Sequence, residues 1–290
     1  MPTRRAVAPA RPFAGAIGLA LIVAGCAAGP TPETRYLAGF SKADRQAQTF
    51  PGASEVMSGL SLADAYRLQA RIVGARQARG DRVVGYKGGL MSAKSLADKA
   101  AAEPLTGALF ASGDLATGAR VSLCAYRRAA LEMKLGYVFA APVTGRLADV
   151  EALKAKVRSV QPVVELPDIA YRNGETYPAV DMAAANISSA KFVRGGPQTV
   201  SATDLDALPV TLRRDGVQLT RGLGRDSLGG QWTSLLTVVN LVTAHGGRIG
   251  AGQLVLTGKI GDKATLTPGA YQADYGPLGA VQFQVDACQN

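Results

Sequence analysis

Residues 130–140, ALEMKLGYVFA, place Glu132 and Lys134 two positions apart in an alternating apolar run. That alternation has the period of a β-strand, so the carboxylate and the ammonium project from one face. A second apolar stretch, QPVVELPDIAYR at 161–172, carries Glu165 and Asp168. Lys87 stands in DRVVGYKGGLMS, just before a glycine turn. Carboxylates beside an ammonium hold it protonated. A cluster of this kind inside apolar strands can polarise a carbonyl or carboxylate and pass a proton. His245 is the sole histidine and no CxxC occurs, which removes a paired-histidine metal site and most histidine chemistry. Its setting, TAHGG, reads as the end of a helix, a capping or surface position.

These residues need strands to carry them and helices to cover the strands. Residues 61–80 read as a helix: Ser61 can cap, Asp64 follows three residues on, positions 62, 65, 68 and 72 are apolar, and Gly80 stops the run. Residues 81–92 read as a strand ending in glycines, and residues 93–102 as a short helix. Residues 146–160 have apolar positions at 147, 150, 153 and 157, which predicts a helix. Residues 204–221 suggest a hairpin around Asp215-Gly216. Residues 229–247 form a helix pattern closed by glycines, in which Trp232 is a core or subunit-contact residue. Late strands follow at 252–258 and 279–287. Strands outnumber helices, so the expected class is α+β, a mixed sheet rolled or sandwiched, with flanking helices.

The 290 residues are 47% hydrophobic and 19% charged, enough apolar material for a large core. The chain starts differently. Arg4, Arg5 and Arg11 precede an apolar run from Phe13 to Ala24, too short for a stable span. This is the pattern of a secretory signal. Its ending, VAGC, resembles a bacterial lipobox, which implies cleavage before Cys26, acylation of its sulfur and anchoring in the cell envelope, at the outer membrane rather than the inner. The expected organisation is a signal peptide at 1–25, a Pro- and Gly-rich tether at 26–58 and one domain at 59–290. Removing the signal lowers the formal charge of +10 by three, and the remaining basic residues are scattered. No basic run with interleaved aromatics points to nucleic acid. Cys124 and Cys288 remain, either paired outside the cytoplasm or present as two buried thiols.

Seven segments, in order, resemble the 2-keto-4-pentenoate hydratase branch of the fumarylacetoacetate hydrolase superfamily. They are LADAYRLQ (62–69), VVGYKGGLMS (83–92), LEMKLGYVF (131–139), VVELPDIAY (163–171), AANISSAKFVRGG (184–196), residues 228–258 and PGAYQADYGPLGAVQFQ (268–284). The resemblance covers about 60–285 and implies that superfamily's fold and a homo-oligomer, at least a dimer. It also implies a lyase that hydrates or decarboxylates dienol and 2-oxo acids, with Mg²⁺ or Mn²⁺ held by a Glu-x-Glu pair and a further Glu. On this likeness Glu132 and Glu165 are the metal positions, and Lys87 stands beside the substrate.

Two departures matter. Lys134 stands where the second glutamate is expected, and an ammonium about 4 Å from a dication is repulsive by several kcal/mol. Asp168-Ile169-Ala170 also replaces the Asp-Ser-Arg that relatives commonly carry. The residues themselves call for no cofactor: Lys134 supplies the positive charge, Glu132 and Glu165 keep it protonated, and Lys87 or Glu165 moves the proton. Asp168, Asn186, Ser188, Ser189, Thr257 and Gly258 are the expected contacts to a small carboxylate. Two other readings stay open. The domain can bind a carboxylate or an envelope partner without turnover, or the charged cluster can be a purely structural pin.

Overall fold

The computed structural model describes residues 1–3, 29–174, 176–199 and 203–289; Cys26 and most of the signal lie outside these. The chain begins with α1 (Pro32–Arg45), α2 (Ala53–Val56), α3 (Leu62–Ala78), β1 (Val83–Gly89), α4 (Ala93–Asp98) and β2 (Leu105–Phe110). Next come β3 (Asp114–Ala116), β4 (Ala119–Ser122), β5 (Ala130–Phe139), α5 (Val150–Lys154), β6 (Val157–Leu166), α6 (Ala179–Ala184), β7 (Lys191–Arg194) and β8 (Gln198–Thr199). The last third holds β9 (Pro209–Arg214), β10 (Val217–Leu223), α7 (Gln231–Ala244), β11 (Leu254–Leu256), β12 (Ile260–Thr265), β13 (Gly269–Asp274) and β14 (Ala280–Asp286).

Two mixed sheets result. The larger runs β2-β1-β11-β5-β6-β7-β3, with β12 also on β5 and β8 also on β6; the smaller runs β10-β9-β13-β14-β4. The α+β class is as expected. Alternation on β5 divides the molecule: Leu131, Met133, Leu135, Tyr137 and Phe139 enter the main core with Leu235, Val238 and Val242 of α7. The opposite face carries Glu132 and Lys134. In the antiparallel register Glu132 pairs with Glu165 and Lys134 with Val163, so Glu165 joins that same face. Along its other edge β5 pairs first with β11, at Gly136–Val138, and then with β12, at Ala130–Met133. The break between those two strands falls beside Lys134. Gly85 lets β1 approach β11, since a Cβ there would lie 1.8 Å from the Leu254 carbonyl oxygen.

Local signals explain several elements. Ser61 accepts from the Asp64 N–H at 3.1 Å and its own N–H donates to the Asp64 carboxylate at 3.1 Å, a reciprocal cap on α3. Asp215 and Gly216 both take positive φ, 51° and 81°, and turn β9 into β10.

Two expectations are corrected. Residues 32–56 are not a tether: α1 and α2 are helical, and Tyr36 and Ala53 are buried with Ala65, Tyr66 and Ala184 in a second core. Phe50 exchanges backbone hydrogen bonds with Ala170 and Arg172, at 3.0 and 2.8 Å. The aromatic residues at 36, 40 and 50 outweigh the Pro- and Gly-rich composition around them. The helix expected over 146–160 is only α5, and Val157 already begins β6. Its β-branched residues pair with β5, and that pairing overrides a helical spacing of four apolar positions.

Cys124 and Cys288 are joined by a disulfide that ties the turn after β4 to the segment after β14. Residues 31–290 form one compact unit.

Candidate active site

Lys134 lies at the centre of the charged face, 1% exposed. Its Nζ is 3.0 Å from Glu165 Oε2 and 3.4 Å from Glu132 Oε2. It donates to the Gly88 carbonyl at 2.9 Å and the Thr257 carbonyl at 3.3 Å. The first carbonyl comes from the glycine end of β1 and the second from the break between β11 and β12. Lys87 reaches the same carboxylate from the other side: its Nζ donates to Glu165 Oε1 and to the Ile187 carbonyl, the latter at 2.9 Å. Glu165 is therefore bridged by two ammoniums. Tyr275 braces the floor, accepting from the Lys134 N–H at 3.3 Å and donating to the Val163 carbonyl at 2.5 Å.

The electrostatics separate the two lysines. Burial alone would lower the pKa of Lys134, but Glu165 and then Glu132 overcome it and hold the group above its ordinary value. Burial also lowers Lys87; Glu165 opposes this, but the Lys134 ammonium adds to the lowering and the group stays below its ordinary value. Burial would raise Glu165, and Lys134 and Lys87 together bring it below the usual carboxylate range. Lys134 is thus a fixed cation and Lys87 the readier proton donor. Environments that push paired groups apart are those that assign acid and base roles.

A cavity of about 200 Å³ opens over this cluster. Besides Lys87, Lys134 and Glu132 it is lined by Lys99, Lys259 and Lys263. Among the described residues Glu132 is the only carboxylate on its wall, and its side chain is 21% exposed. Gly258 also lines it; a Cβ there would stand 2.5 Å from Met91 Cβ, so glycine keeps this wall open.

Glu132, Lys134, Lys87, Gly258 and Ser188 line this cavity, with Glu165 held beneath it by the two lysines, and the remaining expected contacts do not meet there. Asp168 instead accepts from the backbone N–H groups of Arg127 and Arg128, at 3.0 and 2.8 Å, and pairs with the Arg127 guanidinium at 2.7 Å. It anchors a turn. Asn186 clamps Ala108, accepting at 2.7 Å and donating at 2.9 Å. The Thr257 hydroxyl points at Gln231, 2.8 Å away, so only its carbonyl faces Lys134. Ser189 lines a neighbouring cavity. Direct ligand contact from Asp168, Asn186, Ser189 and the Thr257 hydroxyl is therefore corrected: backbone groups claim these side chains, or they face elsewhere. Tyr275 and the rim lysines were missed, because their convergence depends on pairing between distant strands. His245 ends α7 and stacks on Tyr66, ring centroids 3.6 Å apart. Trp232 packs near Tyr137.

The donor set does not fit a divalent ion. The Lys134 ammonium sits between the two carboxylates that would hold one, and it has no lone pair while protonated. Among the described residues no three His, Cys, Asp or Glu side chains converge.

No protein-family model matches the chain. It is 30% identical over 220 residues to a 2-keto-4-pentenoate hydratase from Burkholderia vietnamiensis, covering 75% of this chain and 84% of that one. It is 29% identical over 228 residues to a 4-oxalocrotonate decarboxylase from a Pseudomonas species, covering 78% and 86%. The solved structure of 4-oxalocrotonate decarboxylase from Pseudomonas putida G7, complexed with magnesium and adipate, superposes with a TM-score of 0.82 at 26% identity over 87% of this chain and 96% of that one. More distant structures of the fumarylacetoacetate hydrolase family share the fold alone.

Proposed function

The chain belongs to the 2-keto-4-pentenoate hydratase family, and on that premise we propose that it hydrates or decarboxylates a 2-oxo acid without a divalent metal. The observation that carries this is Lys134 Nζ, held between Glu132 and Glu165 where a metal would need both carboxylates. In either reaction an electron pair collects on the 2-oxo oxygen as an enolate. A preorganised positive charge in a dry site stabilises that oxygen most as the charge develops. The substrate carboxylate displaces Glu132, the exposed member of the cluster, and the 2-oxo oxygen faces Lys134. In decarboxylation of a 2-oxo-3-enedioate the C–C bond to the distal, second carboxylate breaks, carbon dioxide leaves, and the pair passes through the conjugated double bond to the 2-oxo oxygen. Lys87 then protonates carbon and recovers its proton from water. Lys99, Lys259 and Lys263 on the wall favour a substrate with a second carboxylate.

We also propose, from the lipobox-like sequence VAGC, that the protein lies in the bacterial envelope, anchored through acylated Cys26. The Cys124–Cys288 disulfide supports this, because such bonds persist in oxidising compartments.

Absorbance assays on 2-hydroxydienoates and 2-oxo-enedioates test the reaction. The expected result is turnover that survives EDTA, vanishes in Lys134→Met and is not raised by added Mg²⁺. Turnover that requires Mg²⁺ in the unaltered protein, or that is indifferent to Lys134→Met, rejects the reading.

A further inference from the structure

A second cavity, of about 400 Å³, adjoins the first. Among the described residues the two share only Ser188 on their walls. Between them lies the turn Asn186–Ser188, whose three residues all take positive φ, 55°, 41° and 57°. None is glycine, and a left-handed conformation costs such residues roughly 1–2 kcal/mol each. The turn is held from both sides: Ile187 accepts from Lys87 in the catalytic cluster, and the Ser188 carbonyl accepts from the Asp168 N–H at 3.1 Å.

The second cavity has the size of a small-molecule site, about 300 to 1,000 Å³. One wall is apolar: Leu37 and Phe40 of α1, Phe50, Ile72 of α3 and Phe110 of β2. Among the described residues the rest of the lining is mixed, with five cationic side chains beside the carboxylates of Asp44 and Asp168, serines and alanines. Arg71, Arg76 and Arg127 are engaged by Glu33, Asp81 and Asp168. Arg79 lies 4.0 Å from Asp44, which also faces Arg127 at 4.0 Å. Lys191 has no ion-pair partner among the described residues. With the pairs set aside, one positive charge remains in excess. Tyr126 lines the same space, and its buried hydroxyl has no hydrogen-bond partner among the described residues. Such a group costs about 1–3 kcal/mol unless something accepts from it. Burial, with Asp168 adding to it, raises the phenol, so it stays protonated and remains a donor. Both donors line this cavity, on segments tied to the Leu166–Asp168 stretch. Lys191 pairs with Leu166, two residues before Asp168, and Asp168 in turn caps the turn that follows Tyr126.

We propose that this cavity is a second binding site, for a small monocarboxylate with an aromatic or aliphatic body. Lys191 and the Tyr126 hydroxyl meet the carboxylate, and Phe40, Phe50 and Ile72 take the body. The match is one surplus cation and one orphaned donor beside an apolar wall. A dicarboxylate would leave its second charge against that wall.

Calorimetric titration of the purified full-length protein with benzoate and with hexanoate tests the site. Saturable binding of one equivalent is expected from at least one of the two probes. Lys191→Ala should weaken it by about tenfold, the loss of one charge-assisted hydrogen bond. Tyr126→Phe, which keeps the ring and its packing, should weaken it by a smaller factor. Lys99→Ala, on the wall of the catalytic cavity, should leave it unchanged. Absence of saturable binding by both probes overturns the proposal, as does binding indifferent to Lys191→Ala. Binding lost in Lys99→Ala but kept in Lys191→Ala also overturns it, by moving the carboxylate to the catalytic cavity.

Discussion

Glu165 is bridged by two ammoniums, and each of the three groups is buried. Removing one member leaves a charge without compensation, the costly case for buried ion pairs. Lys134→Met should therefore destabilise the fold by on the order of 3 kcal/mol, read from urea unfolding. An unchanged midpoint would mean the cluster is solvated. The pH dependence follows from the directions of the shifts. Burial opposes ionisation of Glu165, but Lys134 and Lys87 hold it below its ordinary 4.5, so its stabilisation is present above that pH. It is lost as pH falls through the folded value, because the unfolded chain takes up the proton first. In Lys134→Met one depressing ammonium is gone, so the folded value moves back toward 4.5 and the acid limb of a Tm-versus-pH curve should shrink and end at higher pH. Burial opposes charging of Lys134 too, but Glu165 and Glu132 raise it above 10.5; its stabilisation is present below that pH and fades as pH rises through the folded value. Lys87, lowered, contributes the opposite slope between its folded value and 10.5. Converting Lys134 to Glu restores three carboxylates to one face. That variant should gain stabilisation by Mg²⁺ in a thermal shift, which the unaltered protein should lack.

At the scale of elements, α1 tests whether the N-terminal segment belongs to the domain. Tyr36 is 2% exposed, and its hydroxyl has no partner among the described residues. Tyr36→Ala should cost about 3–5 kcal/mol, as expected for emptying a buried aromatic site. Tyr36→Phe removes the unpaired hydroxyl and should be neutral or stabilising by up to about 1 kcal/mol. A free tether would show neither effect in a thermal melt. The start of α1 was legible in Thr31-Pro32-Glu33. Thr31 accepts from the Thr34 N–H at 3.2 Å, and proline suits the first helical position. The Pro- and Gly-rich composition around it hid the signal. The end of α5 was not legible. Leu147, Val150, Leu153 and Val157 keep helical spacing, and only the partner strand β5 shows that Val157 is extended.

For the whole molecule the disulfide closes 164 residues of chain between the ends of two neighbouring strands. A loop of that length restricts the unfolded state strongly, so its reduction should cost about 2–5 kcal/mol. Urea melts with and without a reductant measure this, and coincident curves would contradict it. What the sequence by itself determined is the identity and facing of the charged residues. The period of β5 puts Glu132 and Lys134 on one side, and no rearrangement of the chain alters that the second position is an amine. The family and its α+β class were likewise carried by motifs in order, because packing faces are written in local periodicity. Only the tertiary structure decided which groups share a site. Strand register brought Glu165 opposite Glu132, the break between β11 and β12 turned the Thr257 carbonyl to Lys134, and backbone donors drew Asp168 away from the cavity over Lys134. Those outcomes depend on contacts between residues dozens of positions apart, where no spacing along the chain records the distance in space.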